Sequence, residues 1–184
     1  MILASASPRR AELLRNAGIV FTARATDVPE RRRRGESPKR FAERLAQEKA
    51  RAIFRRNPRR AVLGADTIVV VRGTVLGKPR DGRDARRMLR LLSGRTHQVT
   101  TAVCLAGPGF EDTRSETTRV TMRKLSEQEI RDYVASSEPG DKAGAYAIQG
   151  LASRFVSRIE GCYFNVVGLP VPLVDRMLRA HHCR

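Results

Sequence analysis

Short apolar runs alternate along this chain with strong helix-opening signals, which restricts it to folds that interleave strands and helices. Ile2-Leu3-Ala4 reads as a buried strand. Ser7-Pro8 then opens a helix: Ser7 suits the N-cap, and Pro8 suits the first helical position, where its missing N–H is not needed. Leu13, Leu14 and Ala17 supply the apolar face, and Gly18 falls where a left-handed C-terminal cap is expected. Ile19 to Ala23 is a second strand candidate. Ser37-Pro38 repeats the opening signal. Phe41, Leu45 and Ile53 carry that helix forward, and Asn57-Pro58 stops it. Ala61 to Ala65 and Ile68 to Val71 are apolar and partly β-branched, as in a buried strand, and Arg72-Gly73 turns the chain toward Thr74-Val75-Leu76.

Further on, Ala85, Met88, Leu89 and Leu92 form a helical stripe that Gly94 ends. Val99, Thr101, Val103 and Leu105 alternate, as do Thr113, Ser115, Thr117 and Arg119 beyond Gly107-Pro108-Gly109, which predicts a hairpin. Ser126 with Glu129 is a capping box, followed by Ile130, Tyr133 and Val134 on one face. Glu138 to Gly150 reads as a glycine-containing loop. Phe155-Val156, Ile159 and Tyr163 to Val167 read as returning strands, and Pro170 to His181 as a closing helix. Hairpins intrude among the alternating units, so an α/β fold with a mixed sheet is expected. Its 184 residues fit one domain, or two lobes around one cleft.

Charge bears on partners. Lys plus Arg number 36 and Asp plus Glu 19, a formal net charge of 36 − 19 = +17. Such an excess favours polyanions: nucleotides, nucleic acid or an anionic membrane. The basic residues are 31 Arg and only 5 Lys, a skew equally compatible with solvated surface. Cys104, Cys162 and Cys183 lie far apart and form no C-x-x-C pair, so neither a zinc site nor a disulfide framework is indicated. The N-terminus lacks the basic region of a signal peptide. The longest apolar run, Val166 to Val174, contains two prolines and is far shorter than a membrane span. A cytoplasmic, reducing location is expected.

Four segments carry groups suited to chemistry. In Leu3-Ala4-Ser5-Ala6-Ser7-Pro8-Arg9-Arg10 a strand empties through small residues into a helix N-terminus. Backbone N–H groups, the helix dipole and two guanidiniums there suit a phosphate, although no Walker A pattern is present. An ordinary capped helix with surface arginines is the alternative. Asp66, in Gly64-Ala65-Asp66-Thr67, stands within an apolar stretch and is expected near the rim of a buried strand. Its carboxylate needs a cation there, a metal or a Lys or Arg. It suits ligation of Mg²⁺, activation of a water, or a plain salt bridge. Gly77-Lys78-Pro79 aims an ammonium from a stiff turn, and Lys49 lies on the second helix. Lysines are scarce here, so both hint at a compact point charge. Glu138 to Gly150 is rich in small residues, and Gln149 offers an amide suited to the edge of a base.

Other candidates rank lower. His97 reads as a structural histidine between strand and helix, His181-His182 as an exposed tail, and Arg31 to Arg34 as a solvated loop or a nucleic-acid contact. Aromatic residues are only 5%, too few for a stacking surface on single strands.

Seven strings in series resemble the Maf family of nucleoside triphosphate pyrophosphatases. They are LASASPRRAELL from Leu3, RLAQEKA from Arg44, LGADTIVV from Leu63, GKPRD from Gly77, LSGRTHQVTTAV from Leu92, DKAGAYAIQG from Asp141 and GCYFNVVGLP from Gly161. The resemblance implies one Maf-like domain over residues 1–184, with a curved mixed sheet flanked by helices and two lobes around a deep cleft. It also implies a cytoplasmic homodimer that uses a divalent cation, Mg²⁺ or Mn²⁺, to split triphosphates into a nucleoside monophosphate and pyrophosphate. DKAGAYAIQG is similar to the branch acting on dTTP and UTP, with modified pyrimidine nucleotides such as pseudo-UTP as further substrates.

By position, the resemblance implies that Asp66 is the proton acceptor and, with Glu30, a metal ligand. It implies that Arg9, Thr67 and Gln149 bear on substrate choice. Ser5, Arg10, Glu30, Lys49 and Lys78 then handle phosphate and metal. Three positions depart from the family pattern: Pro29 stands where an acidic residue is common, Ala147 replaces a usual Gly, and Cys162 a usual Ser. The competing reading is a nucleic-acid-binding or septum-regulating protein that works through its basic surface. Nucleic acid is not required by the first reading, and no recognised DNA or RNA module is visible.

Overall fold

The computed structural model describes residues 1–136 and 138–183. Its strands are β1 (Ile2–Ala4), β2 (Thr22–Ala23), β3 (Val62–Val71), β4 (Thr74–Leu76), β5 (Thr96–Gly107), β6 (Phe110–Met122) and β7 (Val156–Glu160). Its helices are α1 (Pro8–Asn16), α2 (Pro38–Phe54), α3 (Gly82–Leu92), α4 (Glu127–Ala135), α5 (Tyr163–Val167) and α6 (Val171–Ala180). The strands bond in the order β2-β1-β3-β5-β6-β7, with β4 beside β3. β1 runs parallel to β2 and β3, whereas β4 is antiparallel to β3 and β7 to β6. The sheet is therefore mixed.

The chain divides into two compact units, one of Met1–Thr67, Thr101–Glu116 and Gly168–Arg184, the other of Ile68–Thr100 and Thr117–Val167. In the first unit, Ile2, Leu3 and Ala4 are completely buried, as expected of a strand with parallel neighbours on both edges. Ser7 caps α1 by accepting from the Arg10 N–H, and Ser37 caps α2 by accepting from the Arg40 N–H. Gly18 takes the left-handed φ of 67° just past α1. Helix α2 buries Phe41, Leu45, Ala46, Lys49, Ala50 and Ile53. It lies very close to β3: a Cβ on Gly64 would sit 2.3 Å from the Ala46 carbonyl oxygen and 2.7 Å from the Ala50 nitrogen. Only a glycine permits that approach.

In the second unit, α3 buries Ala85, Met88, Leu89 and Leu92, and Ser126 and Glu129 form a complete capping box on α4. The stretch after α4 is not a plain loop. It holds short 3-10 turns at Glu138–Asp141, Ala143–Ala145 and Leu151–Phe155.

Three expectations change. The strand expected at Ile19 to Ala23 shrinks to two residues, with Val20 87% exposed. The two apolar runs around Asp66 join into one ten-residue strand, so Asp66 lies in mid-strand and not at the rim. Tyr163 to Val167 forms a helix, not a strand. There the chain leaves β7 through Gly161 at a φ of 123°. Asn165 Nδ2 then donates to the Val99 carbonyl and to Thr118 Oγ1, both at 2.9 Å. Asn165 is fully buried, and these two acceptors satisfy its amide.

Candidate active site

Within the first unit the expected residues converge around β3. Asp66 projects from its middle and is 6% exposed. Gly64 stands two residues earlier, on the same face of the strand. Its lack of a side chain lets α2 settle there, and the residue just before Ala50 is Lys49. The Lys49 ammonium donates to Asp66 Oδ1 at 2.7 Å and to Glu30 Oε1 at 2.6 Å. Asp66 and Lys49 are buried, while the Glu30 side chain remains 44% exposed. Burial pushes the Asp66 carboxyl above the usual carboxylate range, with Lys49 and then Arg10 opposing that shift. A carboxyl raised in this way is better matched to accepting a proton near neutral pH.

Arg10 serves the same strand differently. Its Nε donates to the Gly168 carbonyl at 2.8 Å, Nη1 to the Ala65 carbonyl at 2.9 Å and to Ser5 Oγ at 3.3 Å, and Nη2 to Thr67 Oγ1 at 3.0 Å. These bonds take up most of the donors a guanidinium possesses. Arg10 is thus a buckle joining the β1–α1 turn, β3 and the segment before α6, with little donor capacity left for a phosphate. Its burial lowers the guanidinium pKa, with Asp66 and Glu30 opposing that shift. The Thr67 hydroxyl is similarly engaged, 2.9 Å from Thr101 Oγ1 and 3.4 Å from the Gly168 carbonyl oxygen. Ser5 Oγ also accepts from the Ser7 N–H at 3.1 Å. Arg9 shares the first turn of α1 and is partly exposed. Ser5, Arg9, Arg10, Glu30, Lys49, Asp66 and Thr67 all belong to this unit.

Lys78 and Gln149 belong to the second unit, and both are exposed. Lys78 follows β4 in its turn. The segment carrying Gln149 is tied to that turn, since the Gly144 N–H donates to the Gly77 carbonyl at 3.0 Å. Gly144 and Ala145 both adopt left-handed φ values, 73° and 59°. For alanine that conformation is strained, yet Ala145 is fully buried. His97 is buried on β5, with Nε2 2.8 Å from the Tyr146 hydroxyl.

His181 departs from the expectation of an exposed tail. It stacks on Phe110 at 4.1 Å between centroids and lies 3.1 Å from Asp112 Oδ2. Arg31 to Arg34 are exposed.

The residues at β3 fit a divalent cation. Two hard carboxylate donors already converge on a single positive charge, the Lys49 ammonium, at 2.6 and 2.7 Å. Among the described residues no group of three or more His, Cys, Asp or Glu side chains could hold a metal ion. Two carboxylates suit Mg²⁺, which commonly takes one or two from the protein and completes its shell with water and phosphate oxygens.

Several contributors were not singled out from the sequence. Gly64 has a signal, an isolated glycine in a strand pattern. Arg44 has none. It donates to both carboxylate oxygens of Glu36 at 2.7 and 2.9 Å, to Glu48, and to the Arg31 carbonyl at 3.0 Å, and so anchors the segment beside Glu30. Thr101 and the Gly168 carbonyl emerge only from the folded contacts.

With this geometry in place, the comparisons with known proteins define the class. The family described as Maf-like protein matches residues 1–181. The chain belongs to the Maf family. Among its relatives, the dTTP/UTP pyrophosphatase of Koribacter versatilis (strain Ellin345) is 58% identical over 97% of this chain and 93% of its own length. That of Syntrophomonas wolfei is 52% identical, covering 96% and 94%, and that of Aliivibrio fischeri 49% identical, covering 97% and 96%. Among solved structures, the Staphylococcus aureus Ham1 protein aligns over 98% of both chains with a TM-score of 0.54 and 14% identity. This last likeness is one of fold alone.

Proposed function

We propose that this chain hydrolyses nucleoside triphosphates, dTTP and UTP above all, at the α–β phosphoanhydride. Water attacks the α-phosphorus, the bond from that phosphorus to the bridging oxygen breaks, and pyrophosphate leaves with the oxygen. A nucleoside monophosphate remains. The observation that carries this reading is the convergence of Glu30 and Asp66 on Lys49, in a chain whose relatives at 49–58% identity are named dTTP/UTP pyrophosphatase.

In this reading Asp66 takes the proton of the attacking water, with a carboxyl that burial holds above its ordinary range. Lys49 gives its charge to the phosphates when they arrive. Arg10 keeps Thr67 and the Ala65 carbonyl in place, and so fixes the direction in which Asp66 projects. The first turn of α1, with Ser5 and Arg9, receives phosphate oxygens on its backbone N–H groups. Lys78 and Gln149 keep the roles their motif positions imply, an ammonium for phosphate and an amide for the pyrimidine edge. Glu30 and Asp66 would hold a Mg²⁺ or Mn²⁺ ion, which when bound polarises the phosphate and lowers the pKa of water. Modified pyrimidine nucleotides such as pseudo-UTP extend the substrate range.

The same reading makes the protein a homodimer in the reducing cytoplasm. Its cysteines are free, and burial pushes the Cys104 thiol up to about 11, far from the thiolate range that disulfide exchange requires. Among the described residues, no helix is long and apolar enough to cross a membrane. The alternative of a nucleic-acid-binding or septum-regulating protein has no support among the relatives named above.

The test is pyrophosphate release from a panel of triphosphates with Mg²⁺ or Mn²⁺. Release from dTTP and UTP ahead of purine nucleotides is expected, with Asp66→Asn lowering kcat by roughly 10²–10⁴-fold, the span of a lost general base. A purine-first profile, or near-normal turnover in that variant, overturns the reading.

A further inference from the structure

Lys49 is placed unusually for a phosphate ligand, because its ammonium is already committed to carboxylates. It donates to Glu30 Oε1 at 2.6 Å and Asp66 Oδ1 at 2.7 Å, and its side chain is only 10% exposed. It cannot withdraw easily. Its backbone lies on the buried face of α2, and Gly64 allows that helix to sit directly on β3.

The geometry points to a second task for Lys49: its ammonium keeps the Glu30–Asp66 pair closed to a free divalent cation until a nucleotide arrives. Lys49 occupies one oxygen of each of the two carboxylates that suit such a cation. A cation entering alone would displace the ammonium and then share a confined, partly buried space with it, positive beside positive. Arg10, which interacts electrostatically with both Asp66 and Glu30, adds to that repulsion. A triphosphate removes the conflict. Its anionic oxygens give the ammonium new acceptors, and they supply further ligands to the cation. Cation and nucleotide binding are thereby coupled, and each tightens the other by the same factor. The consequence is economy of specificity: the empty protein does not gather metal, and the carboxylates are delivered to it only when a substrate is present.

The nucleotide half of this inference rests on the pyrophosphatase reading, whereas the masking half rests on the ion pairs alone. The masking half is tested by Mn²⁺ binding to the intact protein, followed by electron paramagnetic resonance without nucleotide, and the nucleotide half by the same titration with an α,β-imido analogue of dTTP present. Lys49→Met removes the charge while retaining a long side chain, and is expected to bind free Mn²⁺ roughly tenfold more tightly than the wild type, the scale of one lost like-charge repulsion in a partly solvated site. Lys49→Arg keeps the charge and should remain as weak as the wild type. Equal Mn²⁺ affinity in the wild type and Lys49→Met overturns the masking role.

Should Lys49→Met fail to fold, the wild type decides alone, through water-proton relaxation of Mn²⁺ with and without an α,β-imido analogue of dTTP. Strong uptake only with the analogue is expected; equally strong uptake by the empty protein overturns the proposal. Pyrophosphate release by the wild type with no Mn²⁺ gain in Lys49→Met removes the masking role and spares the pyrophosphatase reading. A Mn²⁺ gain in a protein that hydrolyses no triphosphate does the reverse.

Discussion

At position 64 the absence of one methyl group decides where Lys49 lies. A Cβ there would meet the Ala46 carbonyl oxygen at 2.3 Å, and the obstructing atom is helical backbone, which cannot swing aside. Gly64→Ala must therefore lift α2 from β3 and carry Lys49 away from Asp66. Overpacking of this kind costs roughly 1–3 kcal/mol, or a few degrees of Tm in a chain this long. The loss of activity should exceed the loss of stability, because a displacement of about 1 Å at a reacting group can cost on the order of 100-fold in rate. Thermal melting together with kcat, measured well below Tm, checks this. A variant with lowered Tm and unchanged kcat would mean that the Lys49–Asp66 spacing does not matter to turnover. At this same scale the sequence was only partly legible. Asp66 stands out because a charge in an apolar frame requires a partner, and Lys49 because lysines are scarce in this arginine-rich chain. The engagement of Arg10 with backbone carbonyls does not, since those carbonyls come from Ala65 and Gly168, far apart in the chain.

Among the elements, those governed by local rules were readable and those governed by distant contacts were not. Ser7-Pro8, Ser37-Pro38 and the Ser126–Glu129 box set helix starts by bonds within three residues, so the sequence displays them directly. Tyr163 to Val167 is aromatic and β-branched, a strand composition, but Asn165 docking onto Val99 and Thr118 makes it helical. Tertiary contact overrides propensity there. The irregular segment before α2 is likewise fixed from outside, by Arg44. The Arg44 guanidinium holds the Glu36 carboxyl down at about 2 and also bonds the Arg31 carbonyl. Arg44→Met should release this segment at a stability cost of roughly 1–3 kcal/mol, because the Arg44 and Glu36 side chains are only 15% and 10% exposed and the Glu36 carboxylate loses its charged partner. The sharper readout is limited trypsin digestion. The run Arg31-Arg32-Arg33-Arg34 should be nicked several-fold faster in the variant, because cleavage of a local opening tracks the population of the open form. Unchanged nicking would show that Arg44 does not anchor the run.

Over the whole molecule, internal ion pairs leave the net charge of +17 untouched, because each joins one positive group to one negative group. Many arginines are spent on carboxylates of the chain itself, among them Arg51 on Glu111, Arg90 on Glu127, Arg123 on Glu129 and Arg179 on Asp175. Such exposed pairs contribute little to stability, so the response of the fold to acid should depend on buried groups. His97 is the clearest of these. It is 2% exposed, its Nε2 faces the Tyr146 hydroxyl, and Nδ1 has no hydrogen-bond partner. Burial holds its pKa down at about 4, against 6.5 ordinarily. An unfolded chain therefore takes up a proton near pH 6.5 that the folded one refuses until about pH 4. The stability tied to neutral His97 is complete above pH 6.5 and is lost as the pH falls toward 4, at up to about 1.4 kcal/mol per pH unit. Urea denaturation at pH 7, 6 and 5 should show this decline in the wild type, with a distinctly shallower one in His97→Gln, whose amide does not titrate. Parallel slopes in the two proteins would assign the acid sensitivity to the carboxylates instead.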